Sequence, residues 1–252
     1  MKVNYFPKQD KSGFCQPCVS VGNVGQLATD LIISSLNLEK VGIIYHSSIL
    51  PVIGNDPYTQ FSQNNCRLTT PCEVYENSSQ DLVVLQQRSP LIKGKKEEFV
   101  TWLSDWIKEN RFKQIIILTS SFAHERVDSQ IFGCQLRILM SKSVEEKNGK
   151  LFLETLKWKE VEKRHGDEMT DSIFLPGSGM AKQLFHKCSE SSVLMMSLFC
   201  SEGDNIQDSI TLCNCLNSWL HLIGPSKNIH TWKTPESWKL VYGSHFDQTL
   251  FH

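Results

Sequence analysis

Apolar residues recur at helical spacing from Val24 to Leu36, where Val24, Leu27, Ala28, Leu31, Ile32 and Leu36 fall on one face. "VGIIYH" (41–46) follows and reads as a buried strand, and Pro51, Gly54, Asn55 and Pro57 mark a loop. From Tyr58 to Pro71 the chain is polar and irregular. "CEVYE" (72–76) and "DLVVLQQR" (81–88) read as two strands parted by turn residues Asn77 to Gln80. Lys95 to Glu109 is amphipathic, with Phe99, Trp102, Leu103, Trp106 and Ile107 on one face, and "KQIIILT" (113–119) is the clearest buried strand. Beyond a mixed stretch with a short strand at "QLRILM" (135–140), the pattern gives a helix over Leu151 to Lys163 and a polar loop over Gly166 to Asp171. A glycine turn at Pro176 to Gly179 then opens a short helix. "SVLMMSLFC" (192–200) is a buried strand, and a long amphipathic helix runs through "DSITLCNCLNSWL" to end near Gly224. Strand, helix, strand in this order predicts an α/β fold with a parallel sheet and crossover helices on both faces. One domain over residues 1–243 and a flexible tail over 244–252 account for the pattern.

Composition narrows the function classes. The 252 residues are 40% hydrophobic and 21% charged, enough for a sizeable core. Twenty-six basic residues against 27 acidic ones leave a net charge of -1, without the electrostatic footprint of a nucleic-acid or anionic-membrane binder. No apolar stretch has the length of a membrane span, and the opening "MKVNYFPKQDKSG" lacks the apolar core of a signal peptide. Nine cysteines, spread without a dense framework, read as reduced thiols of an intracellular protein.

Two glycine turns invite a phosphate-site reading. In "SVGNVGQLATDL", Gln26 and Leu27 follow Gly25 where a P-loop needs Lys and a hydroxyl, and the third glycine of a dinucleotide fingerprint is missing. The alternative is structural. Asn23 is placed as an N-cap with Gln26 at the third helical position, a variant of the capping box, while Gly22 supplies a turn and Gly25 close packing. Ser178 in "PGSG" has the wrong spacing for a nucleophile elbow and reads as a helix cap. Glu202, Asp204 and Asp208 suit a helix N-terminus. Cys15 and Cys18 lack a partner pair at metal spacing, and Cys213 and Cys215 diverge on a helix, so no zinc site is expected. Trp232 and Trp238 lie outside any periodic element and are expected to pin the tail to the body. By composition the last residues, Leu250, Phe251 and His252, read first as a frayed chain end, with a compact hydrophobic–aromatic–carboxylate ligand as the alternative.

"SVGNVGQLATDLIISSLNLEKVG", "LPVIGNDPY", "SEGDNIQDSITLCNCLNSWL" and "TWKTPESWKLVYGS" together resemble the proteasome assembly chaperone 2 family, from about Cys15 to Gly243. The resemblance implies a three-layer α/β/α sandwich, similar to the nucleoside-phosphorylase fold but without its activity. It implies no cofactor and no catalytic residue. It also implies a heterodimer with proteasome assembly chaperone 1 that sits on the α-subunits of the assembling 20S proteasome, in cytoplasm and nucleus. That dimer promotes the heptameric α-ring and blocks off-pathway α-ring association. Members insert a hydrophobic–Tyr–any C-terminal tail into pockets between α-subunits. The matching positions are Leu250, Phe251 and His252, where Phe251 replaces Tyr and removes one hydrogen bond, a difference of about 0.5–1.5 kcal/mol. The competing expectation is a nucleoside- or phosphate-binding enzyme on the same fold.

Overall fold

The computed structural model describes residues 2–3, 13–59, 67–77, 81–162, 173–227 and 229–240. Its strands are β1 (Lys2–Val3), β2 (Gly13–Pro17), β3 (Glu39–Tyr45), β4 (Gly54–Asn55), β5 (Leu68–Thr69), β6 (Cys72–Glu76), β7 (Leu82–Gln87), β8 (Gln114–Phe122), β9 (Leu136–Met140), β10 (Lys159–Glu160) and β11 (Val193–Cys200). The helices are α1 (Val24–Ser35), α2 (Lys96–Glu109), α3 (Asp128–Ile131), α4 (Lys142–Lys150), α5 (Ala181–Cys188) and α6 (Ile206–Leu220). Among the described residues one nine-stranded sheet has the order β1-β3-β6-β7-β2-β8-β11-β9-β10, and β4 and β5 pair separately.

The sheet is mixed rather than parallel. β7, β2, β8 and β11 form the parallel block, while β6 runs antiparallel to β7, β3 to β6, and β9 to β11. The link from β6 to β7 is too short for a crossover, which takes a dozen or more residues, so those two strands form a hairpin. β2 carries no apolar alternation that would announce it, yet Phe14 and Cys15 are fully buried between β7 and β8.

Period-two alternation on β8 feeds two cores. Ile116 and Leu118 join Val24, Ala28, Leu31 and Ile32 of α1 and Leu212, Cys213 and Leu216 of α6. Ile115 and Ile117 join Phe99, Leu103 and Trp106 of α2 and Leu184 of α5. Helices therefore flank both faces of the central sheet. α1 is more than amphipathic: ten of its residues are buried, Thr29, Asp30, Ser34 and Ser35 among them. α6 and the segment 229–240 close over the side that would otherwise meet water, and Lys233 donates its backbone N–H to Ser35 Oγ at 2.8 Å.

Two helix boundaries differ from the sequence pattern. The helix expected over Leu151 to Lys163 begins earlier, at Lys142, and passes into a single π-turn over Leu151–Thr155. Lys157 adopts a positive φ of 57°, Trp158 N–H bonds Phe152 carbonyl at 2.9 Å, and the chain turns into β10. The last helix stops at Leu220, where His221 takes the left-handed C-terminal position, rather than near Gly224.

Candidate functional site

In open α/β sheets, ligands bind in the crevice beyond the carboxyl ends of the parallel strands. Here two loops, one after β2 and one before α5, lie across that end. Val21 N–H donates to Gly177 carbonyl at 2.9 Å, Thr119 Oγ1 to Ser178 carbonyl at 3.1 Å, and Ser121 Oγ to Pro176 carbonyl at 2.8 Å. Ser120 Oγ and Cys200 Sγ both donate to Val21 carbonyl. Gly179, at φ 63°, lies so close to the other loop that an added Cβ would sit 2.0 Å from Val19 carbonyl oxygen. The crevice above β2 and β8 is thus occupied by the chain's own backbone.

The four glycine-motif residues sit at this junction. Gly22 has φ 62° and faces the Asn205 side chain. Gly25 lies over β8, where an added Cβ would meet Leu118 carbonyl oxygen at 2.5 Å. Asn23 stands at the N-cap position of α1, but in the left-handed conformation (φ 54°), and its side chain makes no capping bond. Gln26 does not complete a capping box either; its Nε2 donates to Gln87 carbonyl at 2.8 Å. The capping-box expectation is therefore corrected. Gly22 and Asn23 both take left-handed φ rather than the extended backbone of a capping residue, and β7 takes the Gln26 amide. Ser178 is also not a side-chain cap: α5 starts three residues later, and Ser178 Oγ donates to Leu175 carbonyl at 2.7 Å. Asp204 does serve its helix, accepting Ile206 N–H at 3.1 Å.

A second constellation was not anticipated from the sequence. Asp30, buried on α1, accepts from Tyr58 OH at 2.5 Å, Gln86 Nε2 at 2.7 Å and Arg88 Nη2 at 2.9 Å. Arg88 also reaches Tyr58 OH at 2.9 Å and Thr69 Oγ1 at 3.2 Å. Burial opposes the charge on Arg88, but the Asp30 carboxylate beside it raises its pKa above the ordinary value. Next to this pair, Glu73 accepts from Tyr75 OH at 2.7 Å, Thr69 Oγ1 at 2.8 Å and Lys40 Nζ at 3.0 Å. The network fixes the "GNDPY" loop, whose Asp56 also accepts Tyr58 N–H at 3.1 Å. Around this anchored loop, Ile43 and Tyr45 of β3, Leu50, Val52 and Ile53 of the loop, and Leu68 of β5 stay exposed. The one available signal was Asp30 itself, a charge inside an otherwise apolar helix that needs a partner when buried.

The Trp-containing segment packs on the body: Trp232 Nε1 donates to Asn214 Oδ1 at 2.8 Å, Ser237 N–H to Pro57 carbonyl at 3.1 Å, and Trp238 rests on the α1 core. Among the described residues the cysteines are free thiols and no cluster of His, Cys, Asp and Glu could hold a metal. Burial pushes Cys15 up to about 12, and Cys213 donates to Ala28 carbonyl inside the core. Cys134 is exposed, and a hydrogen bond with Cys215 lowers its pKa below the ordinary thiol value. No helix among the described residues is long and apolar enough to cross a membrane. Leu250, Phe251 and His252 lie outside the described residues.

Comparison with known proteins adds a family match, two relatives and two solved structures. The PAC2 family model matches residues 14–201. Proteasome assembly chaperone 2 of Xenopus laevis is 42% identical over 241 residues, covering 93% of each chain. The human protein of that name is 40% identical over 255 residues, covering 96% of each. Among solved structures, Pyrococcus furiosus PbaA, an archaeal homolog of proteasome-assembly chaperone, superposes with TM-score 0.64 at 17% identity over 90% of each chain. PbaB of the same organism, an archaeal proteasome activator, gives 0.62 at 15% identity over 90% of this chain and 91% of its own.

Proposed function

This chain belongs to the PAC2 family, and from that membership we propose that it is a non-enzymatic chaperone of proteasome assembly. The observation that carries this reading is 40–42% identity to proteins named for that role, over more than nine-tenths of both chains. In the finer reading, it pairs with proteasome assembly chaperone 1 and the pair holds α-subunits of the 20S proteasome, in cytoplasm and nucleus. It favours the α-ring and blocks off-pathway α-ring association. The mechanism is mass action: a protein that binds the ring intermediate stabilises it over free subunits and covers surface that would otherwise mis-pair. Apolar side chains exposed around the anchored loop, Tyr45 and Ile53 foremost, supply area of the kind that protein partners cover. The tail Leu250, Phe251 and His252 would dock by filling an inter-subunit pocket, with its carboxylate held by a lysine or by backbone N–H groups.

The test is recovery of the native complex from cells with its subunits identified by mass. Proteasome α-subunits together with a second chaperone are expected. Complexes that never contain a proteasome subunit would end the proposal. Deleting Leu250 to His252 should weaken ring binding and leave the heterodimer intact; unchanged ring affinity would remove Phe251 as an anchor.

A further inference from the structure

Beyond the carboxyl end of β8 and beside β11 lies a cavity of about 140 Å³. Its walls include Val127, Val161, Phe174, Leu175 and Phe199, with Arg137 of β9 among them. Arg137 is among the largest fully buried side chains of the molecule, with 1% of its surface exposed. Nη1 is held by the carbonyls of Cys134 and Leu136 at 2.9 and 3.0 Å, and the guanidinium lies 5.3 Å over the Phe199 ring. Nε and Nη2 have no hydrogen-bond partner among the described residues. Glu162 Oε1 is 3.8 Å from Nη2, too far for a hydrogen bond, and its other oxygen takes Gln130 Nε2 at 2.6 Å.

Those two nitrogens are neighbours on the guanidinium. Nε–H and one Nη2–H point the same way, at the spacing of two carboxylate oxygens, and such parallel pairs are the strongest bonds arginine makes. A buried cation with these two donors unpaired carries a desolvation cost that an incoming anion relieves. The size of the cavity matches that of one that admits benzene, about 150 Å³. Glu125 and Glu162 also line it, so a dianion meets repulsion that a monoanion meets less.

We propose that this cavity is a binding site for a small monocarboxylate, gripped by the Nε–Nη2 edge of Arg137 with its apolar body against Phe199, Val127 and Val161. The site is independent of the assembly role.

Benzoate, benzamide and inorganic phosphate are the probes, titrated into the full-length protein by calorimetry at fixed ionic strength. Benzoate should bind with 1:1 saturation, and benzamide, of the same shape without the charge, at least tenfold more weakly. Phosphate should be weaker than benzoate. Arg137→Lys, which keeps the charge and loses the fork, should lower benzoate affinity at least tenfold. Equal binding of benzoate and benzamide, tighter binding of phosphate, or an unchanged Arg137→Lys protein would each overturn the proposal. Should Arg137→Lys fail to fold, Val127→Trp fills the mouth from a half-exposed position and leaves Arg137 in place. Loss of benzoate binding there supports the site, and full retention overturns it.

Discussion

Arg88 and Arg137 flank the parallel block of the sheet, Arg88 just after β7 and Arg137 on β9 beyond β11. Both guanidiniums are largely or wholly buried, with side-chain exposures of 19% and 1%. Arg88 spends its donors on Asp30, Tyr58 and Thr69, groups from α1, the "GNDPY" loop and β5. Arg137 gives one nitrogen to two carbonyls of its own neighbourhood and leaves two buried nitrogens unpaired beside a cavity. A saturated buried charge holds distant segments in register, whereas an unsaturated one is a place for something to bind.

The contrast is most severely tested by removing what each charge has. Asp30→Ala leaves Arg88 buried without its carboxylate and deprives Tyr58 and Gln86 of their acceptor. A loss of about 3–5 kcal/mol in urea unfolding is expected. Arg137→Met should cost only about 1 kcal/mol, since two carbonyl bonds are lost but its ion-pair partner among the described residues, Glu162, is half in water. Similar losses for the two variants would erase the distinction.

Glu73 sharpens the same comparison through pH. Burial works to raise its pKa, but hydrogen bonds from Tyr75, Thr69 and Lys40 outweigh that and hold it below the ordinary carboxylate value. Its folded pKa is thus depressed. The stability it contributes is present above the unfolded pKa of about 4.3 and is lost as pH falls through the folded value. Glu73→Gln should cost about 1.5–3 kcal/mol at neutral pH and flatten the decline of stability below about pH 4.3. A variant whose acid limb matched the parent's would show that the carboxylate is not what binds β5 to β6.

How much of this was legible in the sequence depends on how local the cause was. β8, β11 and α2 stood out because each presents an unbroken apolar run or stripe. β2 did not, because Gly13, Gln16 and Pro17 dilute its pattern and its burial comes from β7 and β8 on either side. The mixed sheet was missed because hairpin and crossover differ in link length, not in strand composition. Asp30 and Arg88 meet across 58 positions of sequence, so no spacing rule could pair them. Arg137 carried a faint signal, a cation inside the apolar run "LRILM", which was read only as a strand. The assembly role came through family likeness spread over four segments, none of which matches a catalytic motif.

The smallest expected effect returns to the glycine turn before α1, where the sequence suggested a side-chain cap and the structure shows a left-handed Asn23 without one. The two readings separate through serine. Serine caps a helix about as well as asparagine, so a capping role makes Asn23→Ser nearly neutral. Serine tolerates positive φ poorly, however, while asparagine and glycine visit that region routinely. At φ 54°, Asn23→Ser should therefore cost about 1 kcal/mol, and Asn23→Gly should stay within a few tenths of the parent. The midpoints of thermal unfolding for the two variants decide it. If serine proves harmless, the Asn23 side chain caps α1 in solution; if glycine alone is harmless, the residue is there for the turn that carries the chain from β2 onto the sheet.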